Sequence, residues 1–218
     1  MRSMGRQRRA VKGKRVYDAS SRREQALRNR NRIIDSAERR FLDDGYAFTT
    51  IAAVADDAGV SVDTIYKTFG GKPGLVRAIR ERALRGARPV AAEQRSDELQ
   101  AHEADPRKII QGWGRFVTEI APRTTPILLL LRDAAGTDPE IQVLLEEMDS
   151  DRLRRMTDNA RRLHTAGQLR SGVTVALAAD VMWMYSSPEL YELMVLRRGM
   201  PLRRYGQFVA DAMIAALV

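Results

Sequence analysis

The chain has 218 residues, 44% of them hydrophobic, with no cysteine and a formal net charge of +9. That is enough apolar mass for one large domain or two small ones, and it leaves out a disulfide scaffold or a thiolate metal site. No run reaches the roughly 18 to 20 apolar residues that span a bilayer, and no apolar segment follows the arginine-rich start to make a secretory signal, so a soluble cytoplasmic protein is expected.

The charge is unevenly placed. Residues 1–32 carry 12 Lys+Arg against Asp18 and Glu24, so this segment is +10 and the remainder is −1. A polyanion is the partner this implies. Residues 1–20 include Arg2, Arg6, Arg8, Arg9, Lys12, Lys14 and Arg15 with few apolar neighbours. They read as a basic arm that is disordered alone and adds phosphate contacts; the plainer reading is a solubilising tail. Ser21-Arg22-Arg23-Glu24 has the capping-box pattern, so the first helix is expected to start there. Ile33, Ile34, Ala37 and Phe41 form its apolar stripe, and Gly45 ends it.

The stretch Thr49–Leu75 then predicts three short helices divided by glycines. Thr50 caps the first, Ile51 to Ala58. Gly59 supplies a left-handed turn. Ser61 caps the second, which has Asp63 in its first turn and ends at Phe69 before Gly70-Gly71. Lys72-Pro73 opens the third, with Leu75, Val76, Ile79 and Ala83 inward. Val54, Ala55, Ala58, Val60, Ile65 and Phe69 can face one small core. The second helix then crosses the first, as in a helix-turn-helix, and points Val62, Asp63, Thr64, Tyr66 and Lys67 outward.

The run TIAAVADDAGVSVDTIYKTFGGKPGL resembles the DNA-binding motif of TetR-family transcriptional regulators. The matching pieces are Thr50, Ile-Ala-x-x-Ala from Ile51, Ala-Gly-Val-Ser from Ala58, Tyr66-x-x-Phe69, and Lys72 ahead of Leu75. The likeness covers roughly Arg28 to Ala87. It implies an all-α protein with a three-helix DNA-binding domain at 21–87 (motif 50–69) and a larger helical regulatory and dimerisation domain at 88–218. It also implies a homodimer on a double-stranded, inverted-repeat operator, acting as a repressor released by a small-molecule effector. By position, Tyr66 and Lys72 would contact phosphates, and Thr50 is a further candidate. With Ser61, Val62, Asp63, Thr64 and Lys67 these make the DNA-binding set. Asp63 departs from the small residue common at that place, so its base contact is left open.

Beyond the motif, residues 87–105 are polar and read as a joint. Asp105-Pro106, Thr125-Pro126, Asp138-Pro139 and Ser187-Pro188 each put a capping residue before proline. They predict helices at 106–121, 126–135, 139–166, 174–186 and 188–198, with a last one at 201–217. Ile127 to Leu131 should be buried on all sides. In the last helix Leu202, Tyr205, Val209, Ala212 and Ala216 recur at steps of three and four. With Leu190, Leu193, Met194 and Val195 they are expected to close a four-helix bundle between two subunits. Trp113, Phe116, Met156 and Trp183 are the candidate lining of a mostly apolar ligand cavity, and Gly112 and Gly114 hint at close approach or open space. Ordinary core is the rival reading of each.

Catalytic patterns are missing. His102 and His164 stand apart with no ligand spacing, and there is no H-E-x-x-H, G-x-S-x-G or phosphate loop. Asp43-Asp44 and Asp56-Asp57 are adjacent and read as solvated faces. No enzyme activity, cofactor, metal or membrane partner is expected. A DNA-binding architectural protein without a ligand is the alternative function.

Overall fold

Ten helices make up the computed structural model, which describes residues 12–86 and 90–218, with side chains from Ser21 onward. They are α1 Lys12–Asp44, α2 Ile51–Ala58, α3 Val62–Phe69, α4 Lys72–Arg85, α5 Ala92–His102, α6 Pro106–Ala135, α7 Pro139–Thr165, α8 Val175–Tyr185, α9 Pro188–Tyr191 and α10 Leu202–Leu217. A π-helical stretch, Glu192–Arg197, continues α9. Strands are absent among the described residues, so the all-α expectation holds. No helix among them is long and apolar enough to cross a membrane.

Two expected boundaries moved. The first helix does not begin at Ser21: α1 is already helical from Lys12, so half of the expected arm is helix backbone and residues 1–11 lie outside the described residues. The cap pattern is overridden because no proline interrupts the run up to Gly45. Its side chains also pair one turn apart, Gln25 with Asn29 and Arg28 with Glu24. The second shift is at Thr125-Pro126, which starts nothing. Pro122 and Pro126 both lie inside the single helix α6. Each proline removes a ladder N–H, at about 3 kcal/mol in an isolated helix. Burial of Thr124, Thr125, Ile127 and Leu131 on the surrounding helices offsets this. Leu128 to Leu130 are only half-buried, against the expectation for that run.

The segment read as a joint also contains structure. α5 has buried Ala92 and Ser96, and Ser96 accepts a hydrogen bond from the Trp113 indole at 3.0 Å. The expected domain boundary at 87–88 falls in residues 87–89, outside the described chain. Asp105, Asp138 and Ser187 cap α6, α7 and α9 with their side-chain oxygens, as their place before proline suggested, and Thr174 caps α8.

The core has two parts. The first joins α1–α4 around Phe41, Ile65, Leu75 and Ile79, and it takes in Ile127 and Leu131 of α6 with Ile141, Leu144 and Met148 of α7. The second lies within α5–α10 around Ile109, Ile110, Leu163, Met182, Tyr205 and Val209. Tyr205, Val209, Met213 and Leu217 therefore face their own subunit, and the α10 stripe expected at a dimer contact is largely internal. α6 and α10 cross with backbones in near contact. A Cβ at Gly114 would sit 2.5 Å from the Gly206 carbonyl oxygen, and one at Gly206 would sit 2.6 Å from that of Gly114. Close approach, not open space, explains Gly114.

Candidate nucleic-acid interface and ligand cavity

α2 and α3 are held as the sequence pattern requires. The Thr50 hydroxyl oxygen accepts from the Ala53 N–H at 3.1 Å, and that of Ser61 accepts from the Thr64 N–H at 3.2 Å. Gly59 is left-handed at φ 61°, ψ 44°, and its N–H bonds back to Asp56 at 3.0 Å. Val54, Ala55, Ala58 and Ile65 are buried between the two helices, with Val60 and Phe69 packed at the edge.

Ile65 is the buried residue of α3. Val62, Asp63, Tyr66 and Lys67 are exposed, Tyr66 by 54%, and Thr64 is half-buried. Asp63 and Lys67 pair at 2.7 Å across one turn, so the outer face of α3 is neutral and polar with two large apolar groups. That pair is open to solvent and adds little to stability.

Lys72 is placed differently from the other seven. Its ammonium donates to the Tyr46 carbonyl at 2.6 Å and lies 4.1 Å over the Tyr46 ring. Burial pushes its pKa down, opposed by the charge of Asp138. A phosphate role requires it to share or leave that carbonyl. Sequence reasoning did not find Phe48, which is 84% exposed two residues ahead of Thr50. The only sequence signal was an aromatic residue in a segment without helical pattern.

The paired carboxylates are not merely solvated. Asp57 takes Arg40 at 2.6 and 2.9 Å and Arg39 at 2.8 Å, and Ser36 lies at 3.5 Å, which clamps α1 to α2. The Arg40 hydrogen bonds hold the Asp57 carboxyl below its usual range. Arg82 reaches Asp35 and Glu38, tying α4 to α1. Toward the second core, Arg77 grips Glu147 of α7 at 2.6 and 3.1 Å.

A cavity of about 470 Å³ opens between α4, α5, α6, α7, α8 and α10. Trp113, Phe116 and Met156 line it, with Val117, Met182, Val209 and Met213. Trp183 does not. It lies beneath the Arg152 guanidinium at 4.5 Å, and its indole nitrogen is buried without a partner. The wall is more charged than expected, because Arg80, Arg152, Arg155 and Asp151 contribute to it. These come from helix faces whose convergence no local pattern records. His102 and His164 are exposed in the last turns of α5 and α7.

Residues 33–79 match the model of bacterial regulatory proteins of the tetR family. The HTH-type transcriptional regulator TtgR of Pseudomonas putida is 44% identical over 57 residues, covering 26% of this chain and 27% of that protein. The chain thus spans about a quarter of the length of the curated relatives it matches. Among solved structures, the SmeT–triclosan complex is similar at TM-score 0.65 and 25% identity, over 87% of this chain and 91% of that one. SmeT is the repressor of the Stenotrophomonas maltophilia multidrug efflux pump SmeDEF. NalD, the secondary repressor of the MexAB-OprM efflux pump in Pseudomonas aeruginosa, shares the fold at TM-score 0.68 and 18% identity, over 89% and 98%.

Proposed function

We propose that this chain, whose residues 33–79 match the bacterial regulatory proteins of the tetR family, represses transcription from a double-stranded operator until a small molecule fills its cavity. The observation that carries the reading is α3. It is anchored through Ile65 and turned by Gly59 so that Val62, Asp63, Tyr66 and Lys67, with the half-buried Thr64, face outward toward a major groove. Thr50 and Ser61 sit at helix starts, where a backbone phosphate meets free N–H groups. The protein acts in the cytoplasm, where the DNA is.

One such helix covers few bases, so two subunits are needed for tight specific binding. Leu177 and Met184 of α8, Leu193 and Leu196 of the π stretch, and Phe208 of α10 are large apolar residues left exposed on the C-terminal helices. They are the pairing surface of the homodimer, in place of the internal α10 stripe. The operator is then an inverted repeat with half-sites near one helical turn apart or a multiple.

The cavity supports ligand control. Met156, Met182 and Met213, side chains that adapt to different occupants, are part of its lining, and it touches α4 of the DNA-reading unit through Arg80 and Leu84. The relative crystallised with triclosan suggests a first probe. The experiment is to select genomic fragments with purified protein, then titrate triclosan into the complex. Selection of one palindromic sequence, lost on Tyr66→Ala and released by the ligand, is expected. Tight binding without sequence preference, and without response to any cavity ligand, would favour the architectural alternative.

A further inference from the structure

The charges on the cavity wall are not equally satisfied. Asp151 is held by Arg154 at 2.6 Å, and Asp158 by Arg161 at 2.9 Å. Glu93 is exposed to solvent. Arg155 has Asp97 at 2.7 Å and the Glu93 carbonyl at 2.9 Å. Arg80 is the exception. Its side chain is only 21% exposed, yet it reaches just Asp151 at 3.5 Å and the Met148 carbonyl at 3.4 Å. Both contacts are longer than good hydrogen bonds, and most of its N–H groups have no acceptor among the described residues. Beside it on the same wall, Arg152 is 14% exposed and is better held, donating to the Trp183 carbonyl at 2.5 Å, to Ser186 Oγ at 3.3 Å and to Asp149 at 3.2 Å. Burial lowers its pKa, and the charge of Arg80 lowers it further. Two cations thus face one space, and of the two Arg80 is the loosely paired one; a charge largely withdrawn from water is stable only when paired.

We propose that the ligand carries an anionic head, a carboxylate or a similar planar oxyanion, bound between Arg80 and Arg152, with its apolar body against Trp113 and Met182. Guanidinium forks take carboxylates in two-point fashion, which supplies Arg80 with the acceptors it lacks, while Arg152 adds a second positive charge beside it. Asp151 loses only its long contact to Arg80 and keeps Arg154. The inference rests on the reading of this space as a ligand cavity and adds the chemistry of the occupant. It also gives the ligand a handle on the DNA-reading unit. Arg80 belongs to α4, which follows the recognition helix, and Arg152 belongs to α7. An anion shared by both draws α4 toward α7, and only such differential contact can shift the population between two arrangements.

The test compares decanoate with decanol by calorimetry on the full-length protein at neutral pH. Their bodies are the same and only the head differs. Without a cation pair the alcohol binds better, because a carboxylate is costlier to desolvate. The expected result is decanoate tighter by about tenfold, one decade in Kd, and loss of that preference in Arg80→Met with decanol affinity unchanged. Decanol binding as well as or better than decanoate overturns the anionic head while leaving the cavity reading intact. A preference that survives Arg80→Met overturns it too. If neither binds, the proposal fails, and triclosan in the same assay decides whether the cavity reading fails with it. Should Arg80→Met not fold, the wild-type affinity ratio alone decides between the two heads.

Discussion

The DNA-reading unit, α1 to α4, and the helices α5 to α10 are built to opposite standards. In the first unit, side-chain caps, a left-handed glycine and the Asp57 clamp fix each short helix. Every fully buried side-chain polar atom among its described residues has a partner, although the partly exposed Arg80 is only loosely held. The second unit carries all three such atoms: Arg95 Nε, Gln100 Oε1 and Trp183 Nε1. It also holds two prolines inside α6, a π-helical stretch after α9 and the cavity of about 470 Å³. Under the proposed function the contrast has a reason: a reader of base edges must hold its side chains in fixed register, whereas a ligand-controlled unit needs low-stability elements that a ligand can reorder.

The largest expected effect falls where the second unit is tight. Gly114→Val drives a side chain into the Gly206 carbonyl and within 2.8 Å of the Ala210 Cβ. Backbone cannot yield as a side-chain tip does, so the loss should reach the upper end for overpacking, about 3 kcal/mol. Denaturant melts followed by tryptophan fluorescence, which reports Trp113 and Trp183, should shift strongly. Helix content from α1 to α4 should melt later than that signal. Coincident transitions would show that the core α1–α4 share with α6 and α7 makes the two units melt as one.

Gly59→Val should act on the reader alone. A β-branched residue at φ 61° costs about 1–2 kcal/mol in backbone strain. Its Cβ meets only the end of Arg32, 2.7 Å away, and not the Ala55 crossing, so the neighbour can swing clear. DNA binding should be lost while the cavity still binds its probe. Normal operator affinity in this variant would show that α3 is not positioned by this turn.

The smallest effect is set by pH. Arg40 holds the Asp57 carboxyl low, so its folded pKa lies below its unfolded value of about 4. The clamp's stabilisation is therefore fully present above about pH 4 and lost as pH falls through the folded value. Asp57→Asn should lower the melting temperature at neutral pH and flatten its fall in acid. Equal acid sensitivity in both proteins would assign that fall to other carboxylates.

The sequence alone determined the short-range devices of this protein. The caps at Thr50, Ser61, Asp138, Thr174 and Ser187, the turn at Gly59 and the outward set on α3 are each decided by a few neighbouring residues, through one hydrogen bond or one steric rule. Tertiary structure decided what depends on distant partners. α6 runs through Pro122 and Pro126 because burial outweighs the lost hydrogen bonds. Asp57 became a clamp because α1 brings Arg39 and Arg40 to it. Val209 turned inward, Trp183 stayed out of the cavity, and Arg80 and Arg152 came to line one cavity, because helix-to-helix packing chooses which of several apolar or charged faces is covered. Periodicity along one helix carries no record of that choice.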